Sequence, residues 1–454
     1  MFYFLLKLLI RTALSVFFRE LKVSYKGSLP NNTTIVVANH PNTFMDPFIV
    51  ASLFKQPLYF LAKGALFNSA FKRWFLGNMN MIPIFRAQDL QEANSTPEQM
   101  KVQNQAVFQQ CFDFLKKKGS LLIFPEGTSV SERRLRDIKS GTARIALGAE
   151  ADNNFELGLC IQPVGLNYTN SHRFRSRVFV SCAEPISLKN YQSLYEVDPS
   201  LAIKKLTEDT RLALENEMLI VNSPEEDLAV QQIEKIYKAA FATKKQKEMG
   251  TEGFLLTQEI LKAYRYFNAN EPERTQVLRQ KIQRYFGALD RLKLKDSTLA
   301  EPEGDAQLWS DTLKSSFLLI IGFPLYLFGL VNNYLPYILP SYMANWLTKE
   351  KEYTAPIMMS SGILSFSIFY ALQIWLCHYL LENFIYTLIY STLLPLTAFW
   401  AMYYTARWQS IYKRITLWGI FYSKSTLISQ LLAQRQDILQ HLAQARSDYE
   451  KLNL

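Results

Sequence analysis

The chain has 454 residues, enough for more than one domain, with a formal net charge of +10 and an isoelectric point near 9.2. A basic balance suits nucleic acid, anionic lipid or an acidic substrate. The sequence has no long Lys/Arg block of the nucleic-acid type, and its apolar residues concentrate towards the C-terminus. Composition therefore favours a membrane-associated protein over one that binds nucleic acid.

The first twenty residues, MFYFLLKLLIRTALSVFFRE, mix apolar and basic side chains. Lys7, Arg11, Ser15 and Arg19 recur every four residues and share one helix face. No small-residue cleavage site follows, and the charges interrupt any membrane span. The pattern predicts an interfacial membrane helix over residues 1–20, with its basic residues towards lipid headgroups. An ordinary amphipathic helix packed on a soluble domain is the alternative.

Residues 21–200 alternate strand and helix signals. The strand signals are LKVSY, TTIVVAN, LYFLA, MIPIF, SLLIFP, CIQPVGLNY and RVFVSC. The clearest helix, EQMKVQNQAVFQQCFDFLKKKG, ends at Gly119. Such alternation predicts an α/β domain with a largely parallel or mixed sheet flanked by helices.

Helices are also predicted for the chain after residue 200. Residues 201–305 are charged, and we expect a helical appendage and a linker there. Residues 409–454 place leucine and isoleucine at helical spacing, which predicts a tail that packs on the domain or forms a homo-oligomer. The four cysteines have neither metal-ligand spacing nor a dense disulfide pattern, so we expect reduced thiols and no metal site.

Residues 306–408 contain three runs without a charged side chain: 315–348, 353–381 and 383–406. A spanning helix needs roughly 20 apolar residues, so the second and third runs qualify as transmembrane helices. Three prolines in the first run predict a broken helix or a re-entrant hairpin. Basic residues after position 406 favour the cytoplasm. If the α/β domain also faces the cytoplasm, the number of crossings is even: two with a re-entrant first element, or four.

The stretch VVANHPNTFMDP places His40 at a strand end and Asp46 six residues later. Asp46 precedes Pro47, which favours the first helical position, so Asp46 is predicted to cap the following helix. The loop can fold back so that the carboxylate accepts a hydrogen bond from His40, which leaves the second ring nitrogen to accept a proton. Locally, two interpretations stay open: an oriented base, or a turn residue beside a helix cap.

Two further strand ends carry residues suited to an anion. IPIFR ends at Arg86, which can bind a phosphate through two hydrogen bonds. FPEGTS places Glu126, Gly127 and Thr128 at another strand end, where glycine lets backbone N–H groups approach an anion. Lys139 precedes a predicted helix and is a further candidate for a phosphate contact. Taken singly, each residue also suits a surface ion pair, a turn or a solvated side chain.

The blocks NHPNTFMD, IPIFR, FPEGTS and IQPVGLNY follow in this order. Together they resemble the four blocks of the glycerolipid acyltransferase superfamily, with its Asn-His-x4-Asp signature. The helical insert before FPEGTS and the apolar C-terminal runs are similar to the glycerol-3-phosphate/dihydroxyacetone-phosphate acyltransferase branch. One feature departs from the family: five residues, not four, separate His40 from Asp46, and Met45 stands where the family has its aspartate.

The resemblance implies transfer of a fatty acyl group from an acyl thioester, acyl-CoA or acyl carrier protein, to a hydroxyl of glycerol 3-phosphate. It makes His40 the general base and Asp46 its orienting group. The acceptor and phosphate site would comprise Arg86, Glu126, Gly127, Thr128 and, less directly, Lys139. The expected partners are the thioester donor, a phosphorylated glycerol acceptor and the lipid bilayer, with no cofactor.

Two alternatives accompany this interpretation. The acceptor can instead be 1-acylglycerol 3-phosphate (lysophosphatidate), or the chain can be a membrane lipid-binding protein that retains the fold without turnover. In the fourth block, Pro163 is expected to be structural or to face the acyl chain. From the apolar runs and their basic flank we expect an integral membrane protein of the bacterial inner membrane or the endoplasmic reticulum, with its catalytic domain facing the cytoplasm.

Overall fold

The computed structural model describes residues 2–27, 30, 33–84, 97–241, 250–292, 294–300, 306–423 and 425–452. The chain divides into two units. The first contains Met1–Ile220 together with Met343–Ser360, and the second contains Val221–Tyr342 together with Ser361–Leu454.

The first unit is built on a mixed sheet of eight strands, which confirms the predicted fold class and all seven predicted strands. The strands are β1 (Glu20–Tyr25), β2 (Thr34–Ala38), β3 (Leu58–Lys63), β4 (Met81–Ile84), β5 (Ser120–Ile123), β6 (Cys160–Tyr168), β7 (Arg177–Cys182) and β8 (Ile186–Ser187). Their order is β1-β7-β6-β2-β5-β3-β4, with β8 beside β6. From β6 to β4 all neighbours run parallel, whereas β7 pairs with β6 antiparallel.

Helices cover this sheet and bury its apolar side chains. They are α1 (Phe2–Phe17), α2 (Met45–Leu53), α3 (Ala70–Asn78), α4 (Pro97–Lys116), α5 (Gly141–Ala151), α6 (Gln192–Val197) and α7 (Pro199–Asn216). One core joins strand residues to Cys111 of α4, Ile145 of α5 and Leu206 of α7. Because α7 buries its apolar face in this core, the first unit extends to Ile220, beyond the expected boundary at residue 200.

The N-terminal helix α1 leaves a broad apolar surface open and turns one basic residue inward. Phe4, Leu5 and Leu8 are each about three-fifths exposed, while Leu14 is buried. The Lys7 ammonium donates to the carbonyl of Phe54, the C-cap residue of α2. The expectation that Lys7 faces lipid headgroups is therefore wrong, because a cation at a helix C-terminus satisfies an otherwise unpaired carbonyl.

The second unit begins with a helical bundle that the C-terminal tail completes. Its helices are α8 (Pro224–Phe241), α9 (Gly250–Asn270), α10 (Pro272–Arg291), α11 (Asp296–Leu299) and α15 (Ser425–Leu452). Helix α15 buries Ile428, Leu431 and Ile438 in one core with α8 and α10. Its apolar face is thus packed within the chain, and the homo-oligomer stays a prediction.

Three long helices lie between the bundle and its returning tail: α12 (Ala306–Leu347), α13 (Lys351–Leu381) and α14 (Phe384–Ser423). Among the described residues, these three are long and apolar enough to cross a membrane. Helix α12 is continuous through Pro324, Pro336 and Pro340, so the predicted break or hairpin in the first run is wrong.

Side chains of α13 explain why two of these prolines do not break α12. A proline lacks the N–H that would bond the carbonyl four residues earlier. Pro340 thereby frees the carbonyl of Pro336, which accepts a hydrogen bond from Ser365 Oγ at 2.9 Å. Pro336 frees the carbonyl of Asn332, which accepts from Gln373 Nε2 at 2.9 Å. Neighbouring helices often satisfy such carbonyls in apolar surroundings.

Both α13 and α14 run antiparallel to α12. Along α13, Ser365 meets Pro336 and Gln373 meets Asn332. Along α14, Tyr390 bonds Asn332 and the Trp400 indole donates to the carbonyl of Gly322. Rising residue numbers within α13, and again within α14, thus meet falling numbers on α12, so each of these two helices runs opposite to α12.

Candidate active site

The parallel arrangement of neighbouring strands explains why separate sequence blocks meet at one sheet edge. Strand β2 lies between β5 and β6, with Val37 opposite Ile123 and Ala38 opposite Val164. The carboxyl ends of parallel neighbours open onto the same edge. His40, just past β2, and Glu126, just past β5, are therefore brought together.

The predicted histidine–aspartate pair is formed. His40 Nδ1 lies 2.9 Å from Asp46 Oδ2, so the additional residue in the loop does not separate them. The Asp46 side chain is fully buried, whereas the His40 side chain is 19% exposed. A buried carboxylate thus holds an imidazole ring that a substrate can reach.

The loop between the pair contains one residue in an unusual conformation. Thr43 has φ +33°, a region that β-branched residues rarely adopt. Its N–H donates to Ser129 Oγ at 2.9 Å, and its hydroxyl donates to the carbonyl of Glu352 at 2.9 Å. Contacts from two distant segments therefore hold the residue in place.

Asp46 does not cap helix α2, which corrects the sequence prediction. The helix starts at Met45 with Phe44 as its N-cap, and Asp46 lies in the first turn. Its carboxylate points back to the loop: Oδ2 accepts the Asn42 N–H at 2.7 Å as well as the His40 contact. Oδ1 accepts the hydroxyl of Tyr168 at 2.6 Å.

Tyr168 is a site residue that the sequence analysis missed, although it closes the fourth block, IQPVGLNY. It ends β6, the strand beside β2, which carries its side chain to Asp46. Burial, reinforced by the adjacent Asp46 carboxylate, holds the pKa of Tyr168 well above its usual value. The phenol therefore stays protonated and donates to Asp46.

The imidazole and its backbone are held from several sides. The His40 ring stacks on Phe124 with centroids 4.0 Å apart and planes 14° apart. The His40 N–H donates to Glu126 Oε1 at 2.9 Å, and its carbonyl accepts from the Val130 N–H at 3.1 Å. The FPEGTS block thus fixes the position of the histidine.

Glu126 holds two loops together. Besides the His40 bond, Oε2 accepts the Arg136 N–H at 3.2 Å. The residue is buried, and this burial raises the pKa of its carboxyl, while the two backbone bonds act in the opposite direction. Because each oxygen already accepts a backbone N–H, the structure shows a loop-holding role; the expected hydroxyl contact stays a prediction.

Gly127 and Lys139 meet at the same turn. Gly127 has φ +70°, and a Cβ there would lie 3.0 Å from Lys139 Nζ. The Lys139 N–H donates to the carbonyl of Pro125 at 2.9 Å, just before α5 begins at Gly141. The ammonium therefore lies over the turn that contains Thr128. Arg86 lies outside the described residues.

Two asparagines hold the segment around His40 against β6 and the residues that follow it. Asn39 exchanges two hydrogen bonds with the backbone of Leu166, at 3.0 and 2.7 Å, like an added rung of the β2–β6 ladder. Asn42 donates to the carbonyl of Ser171 at 2.8 Å. Pro163 is buried in β6 opposite Val37, in agreement with a structural role.

Comparison with known proteins matches residues 20–167 to the acyltransferase family. Glycerol-3-phosphate O-acyltransferase 1 of Saccharomyces cerevisiae is 28% identical over 204 residues, covering 44% of this chain and 26% of the yeast protein. Glycerol-3-phosphate O-acyltransferase 2 of the same yeast is 34% identical over 141 residues, covering 30% and 19%. A chloroplast 1-acyl-sn-glycerol-3-phosphate acyltransferase of Arabidopsis thaliana is 27% identical over 129 residues, covering 28% and 32%.

This chain thus spans a third or less of the length of these curated relatives. The crystal structure of a 1-acyl-sn-glycerophosphate acyltransferase from Thermotoga maritima has 20% identity and a TM-score of 0.33, over 47% of this chain and 78% of that one. The region matched by the family, residues 20–167, contains β1–β5, β6 except its last residue, and the His40–Asp46 pair. Residues 20–167 are accordingly similar to the acyltransferase family, and the matching relatives are named as glycerol-3-phosphate and 1-acyl-sn-glycerol-3-phosphate acyltransferases.

Proposed function

We propose that the protein transfers a fatty acyl group from an acyl thioester to a hydroxyl of glycerol 3-phosphate. The observation that carries this proposal is the 2.9 Å contact between His40 Nδ1 and Asp46 Oδ2, with the ring accessible and the carboxylate buried. The activity named for the two yeast relatives supports glycerol 3-phosphate as the acceptor.

In the proposed mechanism, His40 acts as the general base. With Nδ1–H donating to Asp46, the lone pair of the ring is on Nε2. Nε2 takes the proton of the acceptor hydroxyl as its oxygen attacks the thioester carbonyl. The C–S bond then breaks, and the departing thiolate receives that proton from His40. Asp46 stabilises the imidazolium in between.

The acceptor phosphate would bind beside the FPEGTS turn. Lys139 supplies a cation there, and Gly127 lacks a side chain that would displace it. Helix α5 begins two residues after Lys139, and the N-terminus of a helix favours negative charge. Arg86, expected after the end of β4, would add a bidentate partner for the phosphate.

The second candidate acceptor is 1-acylglycerol 3-phosphate, which the similarity to the Arabidopsis enzyme favours. Both acceptors present a hydroxyl and a phosphate, so the same residues can serve either. A non-catalytic lipid-binding role is opposed by the preserved base, its carboxylate and the tyrosine that holds that carboxylate.

The test is acyl transfer by the purified full chain, with radiolabelled acyl-CoA or acyl carrier protein as donor. The acceptor panel is glycerol 3-phosphate, dihydroxyacetone phosphate, 1-acylglycerol 3-phosphate and glycerol. We expect glycerol 3-phosphate to give the highest kcat/KM and glycerol to give none. Preference for 1-acylglycerol 3-phosphate would select the second candidate.

His40→Ala tests the mechanism in the same assay. General-base catalysis is worth ~10²–10⁴-fold in rate, so we expect kcat to fall by at least that range. His441→Ala, in the C-terminal helix, is the matched control and should keep full activity. An active His40→Ala enzyme would refute the mechanism, and a correctly folded wild-type chain without turnover on any acceptor would favour the lipid-binding alternative.

A further inference from the structure

A cavity of about 390 Å³ lies within the helical bundle of the second unit, bordered by α8, α9, α10 and α15. Its lining is mainly apolar and includes Ile233, Leu256, Ile260, Leu278, Leu442 and Ala445. Close-packed interiors rarely leave voids larger than a water molecule. An apolar space of this size with a few polar groups is typical of a ligand site.

The volume suits a single hydrocarbon chain. A methylene group has roughly the volume of a water molecule, whose share of the liquid is about 30 Å³. The cavity thus accommodates roughly a dozen carbons by this measure, as in one long acyl chain whose carboxyl end projects outwards. A phospholipid with two chains is too large.

Three arginines and two glutamates border the cavity: Arg274, Arg279, Arg446, Glu259 and Glu450. The Arg274 guanidinium lies 5.3 Å from the centre of the Phe267 ring and pairs with Glu271 and Asp448 at 2.9 Å. Arg446 donates to the Tyr237 hydroxyl and pairs with Glu450 at 2.7 Å. Arg274 and Arg446 therefore each already bind a carboxylate of the chain.

Arg279 is the lining arginine available for a ligand. It interacts electrostatically with Glu225, and no salt bridge joins it to another residue that the structure describes. Leu278 and Arg279 both line the cavity, so a hydrocarbon chain packed on Leu278 can place its carboxylate at Arg279. One guanidinium matches the single charge of a carboxylate, whereas a phosphate generally uses more cations.

We propose that this cavity binds a long-chain fatty acid, with the hydrocarbon among α8, α9, α10 and α15 and the carboxylate at Arg279. The site is formed by residues of the second unit alone and includes no residue of the candidate active site. It does not rest on the proposed acyltransferase reaction, and no bond is made or broken in it.

The experiment uses the full chain in phosphatidylcholine nanodiscs, photolabelled with a diazirine analogue of palmitic acid and mapped by peptide mass spectrometry. We expect labels on peptides of α10 and α15. Leu278→Trp should fill the cavity and reduce this labelling at least tenfold. Val277→Trp is the matched control, because Val277 is 51% exposed on the same helix and does not line the cavity.

Arg279→Gln provides a second test that keeps the apolar packing intact. Loss of one charge-assisted hydrogen bond should weaken the binding of the probe about tenfold, while Arg284→Gln, exposed on the same helix, should not change it.

Labelling spread over α12–α14, equal labelling by a phosphatidylcholine probe, or labelling unchanged by Leu278→Trp would each overturn the proposal. A change of oligomeric state with Leu278→Trp and no cavity label would assign the surface to a second copy.

Discussion

A histidine that serves as a base needs another group to determine which ring nitrogen carries the proton. For the proposed base His40 that group is Asp46, which is itself held by hydrogen-bond donors. Tyr168 and the N–H of Asn42 bond Asp46, and Asp46 in turn orients His40. A carboxylate completely removed from solvent needs such donors, because burying an ion without partners is costly. Tyr168 is therefore expected to increase the rate of acyl transfer indirectly, by holding Asp46 in position.

Tyr168→Phe tests this positioning role. The ring still fills its space, but Asp46 Oδ1 loses its 2.6 Å donor. A hydrogen bond to a charged group contributes about 1.5–3 kcal/mol, so we expect kcat to fall about tenfold or more with KM for both substrates unchanged. Steady-state kinetics measures this split. Tyr195→Phe, on α6, is the control, and an unaltered kcat in Tyr168→Phe would exclude the role.

At the scale of elements, hydrogen-bond donors on α13 allow α12 to stay helical at two of its prolines. The sequence shows the prolines but not the donors, since Ser365 lies 25 residues beyond Pro340 and Gln373 lies 37 beyond Pro336. Each donor reaches the carbonyl that a proline leaves unpaired. The continuity of α12 is thus a property of the helix pair, not of α12 alone.

A double-mutant cycle on Ser365 and Pro340 measures this dependence. Ser365→Ala leaves the Pro336 carbonyl unpaired, and a buried unsatisfied group costs about 1–3 kcal/mol. Pro340→Ala restores the missing backbone N–H, so Ser365→Ala should cost much less in that background. Thermal unfolding in detergent gives both values, with Ser391→Ala as the control. An equal loss of stability on Ser365→Ala with and without Pro340→Ala would disprove that Ser365 compensates for the proline.

At the scale of the whole molecule, the chain leaves and re-enters the same bundle around its apolar helices. Arg435 of α15 pairs with Asp296 at 2.9 Å, and Tyr285 of α10 donates to the same carboxylate at 2.8 Å. All three groups are buried. The residues before α12 and those after α14 thus pack in one bundle, and we expect them on one side of a membrane.

Single-cysteine labelling tests this topology. In a background without the native cysteines, Asp290→Cys and Ser429→Cys should react with a membrane-impermeant maleimide from the same side. We propose that this side is the cytoplasm, because basic residues follow position 406. Permeabilised vesicles provide the control that both thiols are reactive. Labelling of the two positions from opposite sides would contradict the shared bundle.

The sequence alone determined the features that depend on local pattern. Alternating apolar runs defined all seven major strands, and block order identified His40, Asp46 and the FPEGTS turn as one candidate site. These inferences succeeded because side-chain periodicity and the residue types at strand ends depend only on neighbouring residues. Local pattern did not predict three features. They are the inward turn of Lys7, the position of Asp46 beyond the helix cap and the continuity of α12.

Only the tertiary structure decided which distant groups meet. Parallel pairing of β6 with β2 carries Tyr168 to Asp46, although 121 residues separate them along the chain. The additional loop residue leaves the His40–Asp46 contact at 2.9 Å because the loop is held by partners from three other segments. Local sequence specifies a strand, a helix and a reactive residue, whereas hydrogen-bond partners far along the chain specify where that residue points.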